Sequence, residues 1–174
     1  IDLYTEEDMI SYSACGLPYF IEGLIEDPQR LIVRRPEQFE ELGANIHLNR
    51  RCIKIMPDEK KIRIEDIKTG EIEEVEYDKL AITTGARPVL PAIRNIHLPN
   101  IFTVRKLQDG INIRNKMRDP ETKKAVIVGA GYIGIEMLEA FYLNGIETHM
   151  LEMNEHILSI FDPEISDMIQ EEIL

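Results

Sequence analysis

An α/β chain built around parallel strands is what this sequence predicts, and three observations predict it. An apolar run of strand length, Ala125-Val126-Ile127-Val128, feeds directly into Gly129-Ala130-Gly131-Tyr132-Ile133-Gly134. Apolar residues then recur at Ile133, Met137, Ala140 and Phe141, the spacing of one helix face. After the helix stop Asn144-Gly145, Ile146 to Leu151 reads as a second parallel strand, with Glu152 at its carboxyl end.

Each part of this strand, turn, helix and strand has a chemical use. Gly129 permits a sharp turn, Gly131 removes the side chain that would block a pyrophosphate, and Gly134 lets the helix lie close on the strand. The residues between, Tyr132 and Ile133, open the helix, whose free N–H groups and positive end favour an anion. Glu152, 23 positions after Gly129, is placed to accept hydrogen bonds from ribose hydroxyls. A carboxylate there repels a phosphorylated ribose, so the expected ligand is a dinucleotide, NADH ahead of NADPH.

Composition sets the outer limits. With 174 residues, 44% of them hydrophobic, the chain can bury one respectable core or two small ones. A formal net charge of −12 argues against nucleic-acid binding, which needs a cationic surface. No apolar run approaches membrane-spanning length, and no secretory signal pattern is present. Two cysteines, Cys15 and Cys52, do not make a disulfide framework, so a cytoplasmic location is expected. The four histidines show no metal-binding spacing, and no metal is expected. The chain starts without methionine and stops in a helical pattern at Glu171-Glu172-Ile173-Leu174, as a piece of a longer protein would.

Taken in order, Ile1 to Tyr4 is a short strand that runs into Thr5-Glu6-Glu7-Asp8, either a ribose-binding acid of another dinucleotide unit or a solvated loop. Pro18 suits a first helical turn, and Tyr19 to Leu24 continues it, which puts Cys15 at or just before a helix start. Helix N–H groups there favour a reactive thiolate, against the plain alternative of a small buried residue. Pro36 and Gly43 bracket a short helix, and Ile46 to Ile55 reads as a strand. Lys61 to Glu65 and Glu71 to Tyr77, joined through Thr69-Gly70, alternate apolar and charged residues like an antiparallel ribbon. Leu80-Ala81-Ile82 reads as a buried strand before the turn Thr83-Thr84-Gly85-Ala86-Arg87-Pro88. Leu107 to Met117 is a weakly amphipathic helix following the crossing segment Asn95 to Asn100.

The segment Ser11 to Phe20 resembles S-x-x-x-C-G-x-P-Y, the active-site signature of the single-cysteine branch of the FAD-dependent pyridine nucleotide–disulfide oxidoreductases. That branch includes coenzyme A disulfide reductases, NADH oxidases and NADH peroxidases. Pro36 to Ile46, Tyr77 to Pro88, the glycine unit and Asp162-Pro163-Glu164 follow in the family's order, so the resemblance covers nearly the whole chain. It implies a partial FAD-binding Rossmann-like domain with an antiparallel ribbon over residues 1–107. The first half of an NAD(P)-binding Rossmann domain then occupies 108–174.

The resemblance carries Cys15 and Ser11 over as catalytic residues, Cys52, Thr84 and Gly85 as FAD-binding residues, and Glu136 as the glutamate near the nicotinamide. Phe20 stands five places after Cys15, so the C-x-x-x-x-C dithiol of glutathione-reductase relatives is absent. Cys15 is then expected to cycle as a mixed disulfide, a persulfide or a sulfenic acid. The partners implied are a small disulfide, persulfide, peroxide or oxygen, with a homodimeric parent protein. Thr5 stands where many relatives carry the flavin-ribose glutamate, a role that Glu6 takes or that is missing. Ala14 replaces the asparagine frequent in coenzyme A disulfide reductases. The family's first glycine motif and its dimerisation domain lie outside these residues, so the fragment alone is expected to bind FAD poorly and turn over little. A non-catalytic nucleotide-binding or redox-sensing module is the competing reading.

Overall fold

A computed structural model describes residues 1–173. The chain divides into two compact units: Ile1–Ser13 with Ile32–Ala86, and Ala14–Leu31 with the stretch from Arg87 onward.

In the first unit, strand β1 (Asp2–Tyr4) pairs in parallel with β2 (Asn45–His47), in the register Asp2↔Asn45 to Tyr4↔His47. Between them, Pro36 fixes the first turn of α2 (Pro36–Glu40), and Gly43 at φ +80° turns the chain toward β2. The single strand expected over Ile46 to Ile55 is two. Asn49, at φ +56°, breaks it, and β3 (Arg50–Met56) begins directly after. Strands β3, β4 (Lys61–Asp66) and β5 (Ile72–Glu76) form a three-stranded antiparallel sheet. The β4–β5 turn is built by Asp66, whose carboxylate accepts the N–H groups of Lys68 and Thr69 at 2.8 and 3.2 Å, and by Gly70 at φ +76°. Ile62 and Ile64 on β4 are buried and supply the core of this sheet.

Leu80-Ala81-Ile82 departs from expectation: it is not a strand, and Ile82 is 64% exposed. A strand exists only beside a hydrogen-bonded neighbour, and none of the described strands lies alongside these residues.

The second unit packs helices on a parallel pair. Helix α1 (Leu17–Glu22) is preceded by a tight 3₁₀ turn, Ala14–Gly16, and closed by Gly23 at φ +109°. Helix α3 (Leu107–Met117) has the bounds its periodicity predicts, and Asp109 accepts the N–H groups of Arg105 and Lys106 at its start. Strand β6 (Lys124–Val128) leads through the glycine turn to α4 (Tyr132–Leu143) and then to β7 (Glu147–Leu151), which pairs in parallel with β6. Helix α5 (Pro163–Ile173) starts at the Asp-Pro-Glu segment. Leu17, Phe20 and Ile21 of α1 pack with Leu107 and Ile113 of α3 and Met137 and Ala140 of α4 to form the core. Ile133 does not share that face and is 54% exposed. The close approach at Gly134 turns positions 134, 137 and 140 inward and rolls Ile133 outward.

Candidate functional site

The glycine unit assembles at the carboxyl ends of β6 and β7. Gly129, at φ +105°, turns the chain out of β6 while its N–H still bonds the Leu151 carbonyl at 2.8 Å. Gly134 sits directly against it. A methyl group at 134 would come within 3.1 Å of the Gly129 carbonyl carbon and closer still to its oxygen, so only glycine fits. At Gly131 the reverse holds: nothing lies within 4 Å of where a side chain would start. That open space beside the first turn of the twelve-residue α4 is where a pyrophosphate can reach free N–H groups. Tyr132 and Ile133 are both more than half exposed there, and Tyr132 rests its ring edge-on against Phe161, 5.8 Å between centroids.

Glu152 does more than its position predicts. One carboxylate oxygen accepts the Ala130 N–H at 2.7 Å, and the other accepts those of Met153 and Asn154 at 2.8 Å each. These bonds, Ala130's first, hold its carboxyl below the usual glutamate range, so the group is an anion fixed against the glycine turn. An ionised carboxylate has about four acceptor positions and three are taken, so about one remains for a ribose hydroxyl. Glu136 lies half-buried one turn along α4.

Cys15 lies in the Ala14–Gly16 turn, exposed, with the buried Leu17 and Pro18 immediately after it. The helix it precedes is anchored at its far end. Arg114 of α3, only 5% exposed, donates from Nη1 to the carbonyls of Ile25 and Glu26 at 3.0 and 2.8 Å, and its guanidinium lies 4.5 Å from the centre of the Phe20 ring. Asn144, at the end of α4, donates to the Glu22 carbonyl at 2.8 Å. Asn144 is legible in the sequence only as a helix stop and Arg114 not at all, because the partners of these bonds lie 88 to 122 positions away and no spacing rule connects them.

The remaining expected residues belong to the first unit. Ser11, at φ +54°, is half-buried, and its carbonyl accepts the Val33 N–H at 2.8 Å. Cys52 stands exposed at a β-bulge in β3, with its thiol 3.6 Å from the Lys54 carbonyl. Thr84 and Gly85 are exposed, and Gly85 takes φ +67°. No hydrogen bond among the described residues joins Ser11, Cys52 and Thr84 to one another. Glu6, next to Thr5, pairs with Arg51 at 3.2 Å. No group of three or more potential metal ligands occurs among the described residues, and no described helix is long and apolar enough to cross a membrane.

Several known proteins are similar to this chain. An NADH oxidase of Enterococcus faecalis is 31% identical over 175 residues, covering 100% of this chain and 39% of that protein. An NAD(P)H coenzyme A polysulfide/persulfide reductase of Pyrococcus horikoshii is 34% identical over 175 residues, covering 99% of this chain and 38% of its own length. The crystal structure of reduced Bacillus anthracis CoADR-RHD superposes with a TM-score of 0.96 at 31% identity, over 99% of this chain and 31% of that one. The chain therefore spans under two-fifths of the curated relatives it matches. The family profile described as pyridine nucleotide-disulphide oxidoreductase matches residues 1–174, and the chain belongs to that family.

Proposed function

We propose that the protein containing this chain is an FAD-dependent NAD(P)H oxidoreductase that delivers electrons from NADH, through FAD, to Cys15 and a small oxidant. The observation that carries this reading is the exposed Cys15 thiol at the turn into α1, in a chain that also builds the open glycine cradle and its fixed acid. Residues 1–107 serve the flavin and 108–174 the nucleotide.

The chain's own groups fit that division of labour. Gly131 leaves room for the pyrophosphate, Gly129 and Gly134 hold the turn, and Tyr132 and Ile133 flank it. Glu152, already charged, accepts a ribose hydroxyl and repels a ribose phosphate, which favours NADH over NADPH. Glu136, on the same helix, would serve the nicotinamide. Gly85 takes a positive φ that would let the Thr84 turn come close to a bound flavin, and Cys52, at the bulge in β3, would offer main chain to its adenine end. A bound flavin supplies a two-electron relay between nicotinamide and sulfur. Cys15 Sγ, as thiolate, attacks one sulfur of a disulfide, forming a mixed disulfide and expelling the other sulfur as thiolate. Two electrons originating in the NADH hydride then break that bond, releasing the second thiolate and restoring Cys15. With hydrogen peroxide, the thiolate attacks one oxygen, the O–O bond breaks and hydroxide leaves, making Cys15 a sulfenic acid. Two further electrons and two protons return it to the thiol with loss of water. Ser11, four residues ahead of Cys15 in the sequence, is assigned as a second catalytic residue on the strength of the signature it shares with Cys15. The parent protein is read as a cytoplasmic homodimer.

The test uses the full-length polypeptide. It should purify yellow and oxidise NADH with coenzyme A disulfide, a polysulfide, a peroxide or oxygen. Cys15→Ser should abolish disulfide and peroxide reduction while NADH still bleaches the flavin. A colourless protein, or a C15S variant with undiminished turnover, defeats the proposal.

A further inference from the structure

We propose that Arg114 and Asn144 are positioning residues for Cys15, acting through the short helix α1; this rests on the functional reading above. Helix α1 has six residues and no side-chain cap at its start, so by itself it cannot hold a direction. At about 1.5 Å per residue it is a lever about 9 Å long with the thiol at its free end. A tilt of roughly 10° about its carboxyl end moves that end by about 1.6 Å, and displacements near 1 Å can cost about a hundredfold in rate.

The structure clamps the other end from two sides. Arg114 Nη1 bridges the carbonyls of Ile25 and Glu26, just past the Gly23 cap, while the guanidinium lies over Phe20 of the helix itself. Asn144 Nδ2 holds the Glu22 carbonyl, the last of the helix, and also bonds Ala140 within its own helix at 2.8 Å. Gly110, one turn before Arg114, lets α3 approach so closely that a methyl group there would sit 3.1 Å from Leu17 and 3.5 Å from Phe20. A buried arginine is an expensive way to gain stability: its charge is desolvated, and its Nε finds no hydrogen-bond partner among the described residues. An apolar residue of equal volume would serve the core as well. What the guanidinium adds is direction, because its planar fork fixes two carbonyls and a ring at once.

The experiment uses the full-length, flavin-loaded protein and three rates: flavin bleaching by NADH, reoxidation by coenzyme A disulfide, and alkylation of Cys15 by iodoacetamide across pH. Arg114→Met should slow reoxidation about tenfold or more and move the pH profile of alkylation, with bleaching within about twofold of wild type. Asn144→Ala should shift the same two measurements in the same direction by less, and Arg114→Lys should recover part of the loss. A purely structural role would lower all three rates together. If R114M does not yield folded protein, R114K and N144A decide on the same rates. Reoxidation and alkylation within about twofold of wild type in the variants that fold overturn the inference. Cys15→Ser separates the two claims: turnover that survives it defeats the functional reading, whereas turnover lost in C15S but intact in the positioning variants defeats only this inference.

Discussion

Gly134→Ala is the sharpest test of how the glycine turn is built. In an exposed helix this change would stabilise by about 1 kcal/mol, because alanine is the better helix former. Here the added methyl meets the Gly129 carbonyl, a backbone group that cannot rotate away. Forcing a methyl into a packed site costs about 1–3 kcal/mol, with the upper end appropriate where the opposing atom is main chain. Subtracting the helix gain leaves a net loss of about 2 kcal/mol, concentrated where α4 meets β6. Native-state hydrogen exchange in the full-length protein reads this directly: amides in the first turns of α4 should open about thirtyfold more often, and NADH affinity should fall with them. Gly110→Ala is the matched control. Its added methyl meets the buried Leu17 side chain at 3.1 Å rather than main chain, so the cost there should be smaller than at Gly134 and partly offset by helix propensity. Equal or slower α4 exchange in G134A would refute the packing argument.

Three further outcomes follow from the same contacts. The folded-state pKa of Glu152 lies below the ordinary 4.5, so its contribution to stability is complete above that value and is lost as pH falls through the folded-state value; acid titration of the glycine-turn amides should show this loss, and Glu152→Gln should remove it. Gly85→Ala places a side chain at φ +67°, a strain of about 1 kcal/mol, and should weaken flavin binding about fivefold in a spectral titration. Ile64→Ala empties a fully buried site in the three-stranded sheet and should cost about 2–5 kcal/mol by urea denaturation, whereas Arg63→Ala, which removes an exposed pair with Glu74, should cost less than about 1.

Where local rules govern, the sequence was enough. The bounds of α3 and the order of strand, glycine turn, helix and strand follow from periodicity and glycine placement, since those contacts are made within some 30 residues. The Asn49 break between β2 and β3 escaped because Ile46 to Ile55 keeps its apolar character across a residue that takes positive φ. Leu80 to Ile82 has a strand's composition, but composition says nothing about whether a neighbour is there to pair with. The exposure of Ile133 depends on how tightly Gly134 meets Gly129, which a helical wheel does not contain. At the site, the placement of Glu152 was legible, but its grip on the Ala130 amide was not. The contacts of Arg114 and Asn144 with the α1 segment were not legible because they arise only when α1, α3 and α4 come together.

The two kinds of pairing in the first unit also set an order of events during folding. The hairpin of β4 and β5 closes between Glu65 and Ile72, whereas β1 meets β2 only after Asp2 finds Asn45 across 43 positions. Loop-closure entropy makes the longer search dearer by about 1.6 kcal/mol before any contact rewards it. By that difference the antiparallel ribbon is expected to close from its own turn before the parallel pair of β1 and β2 forms.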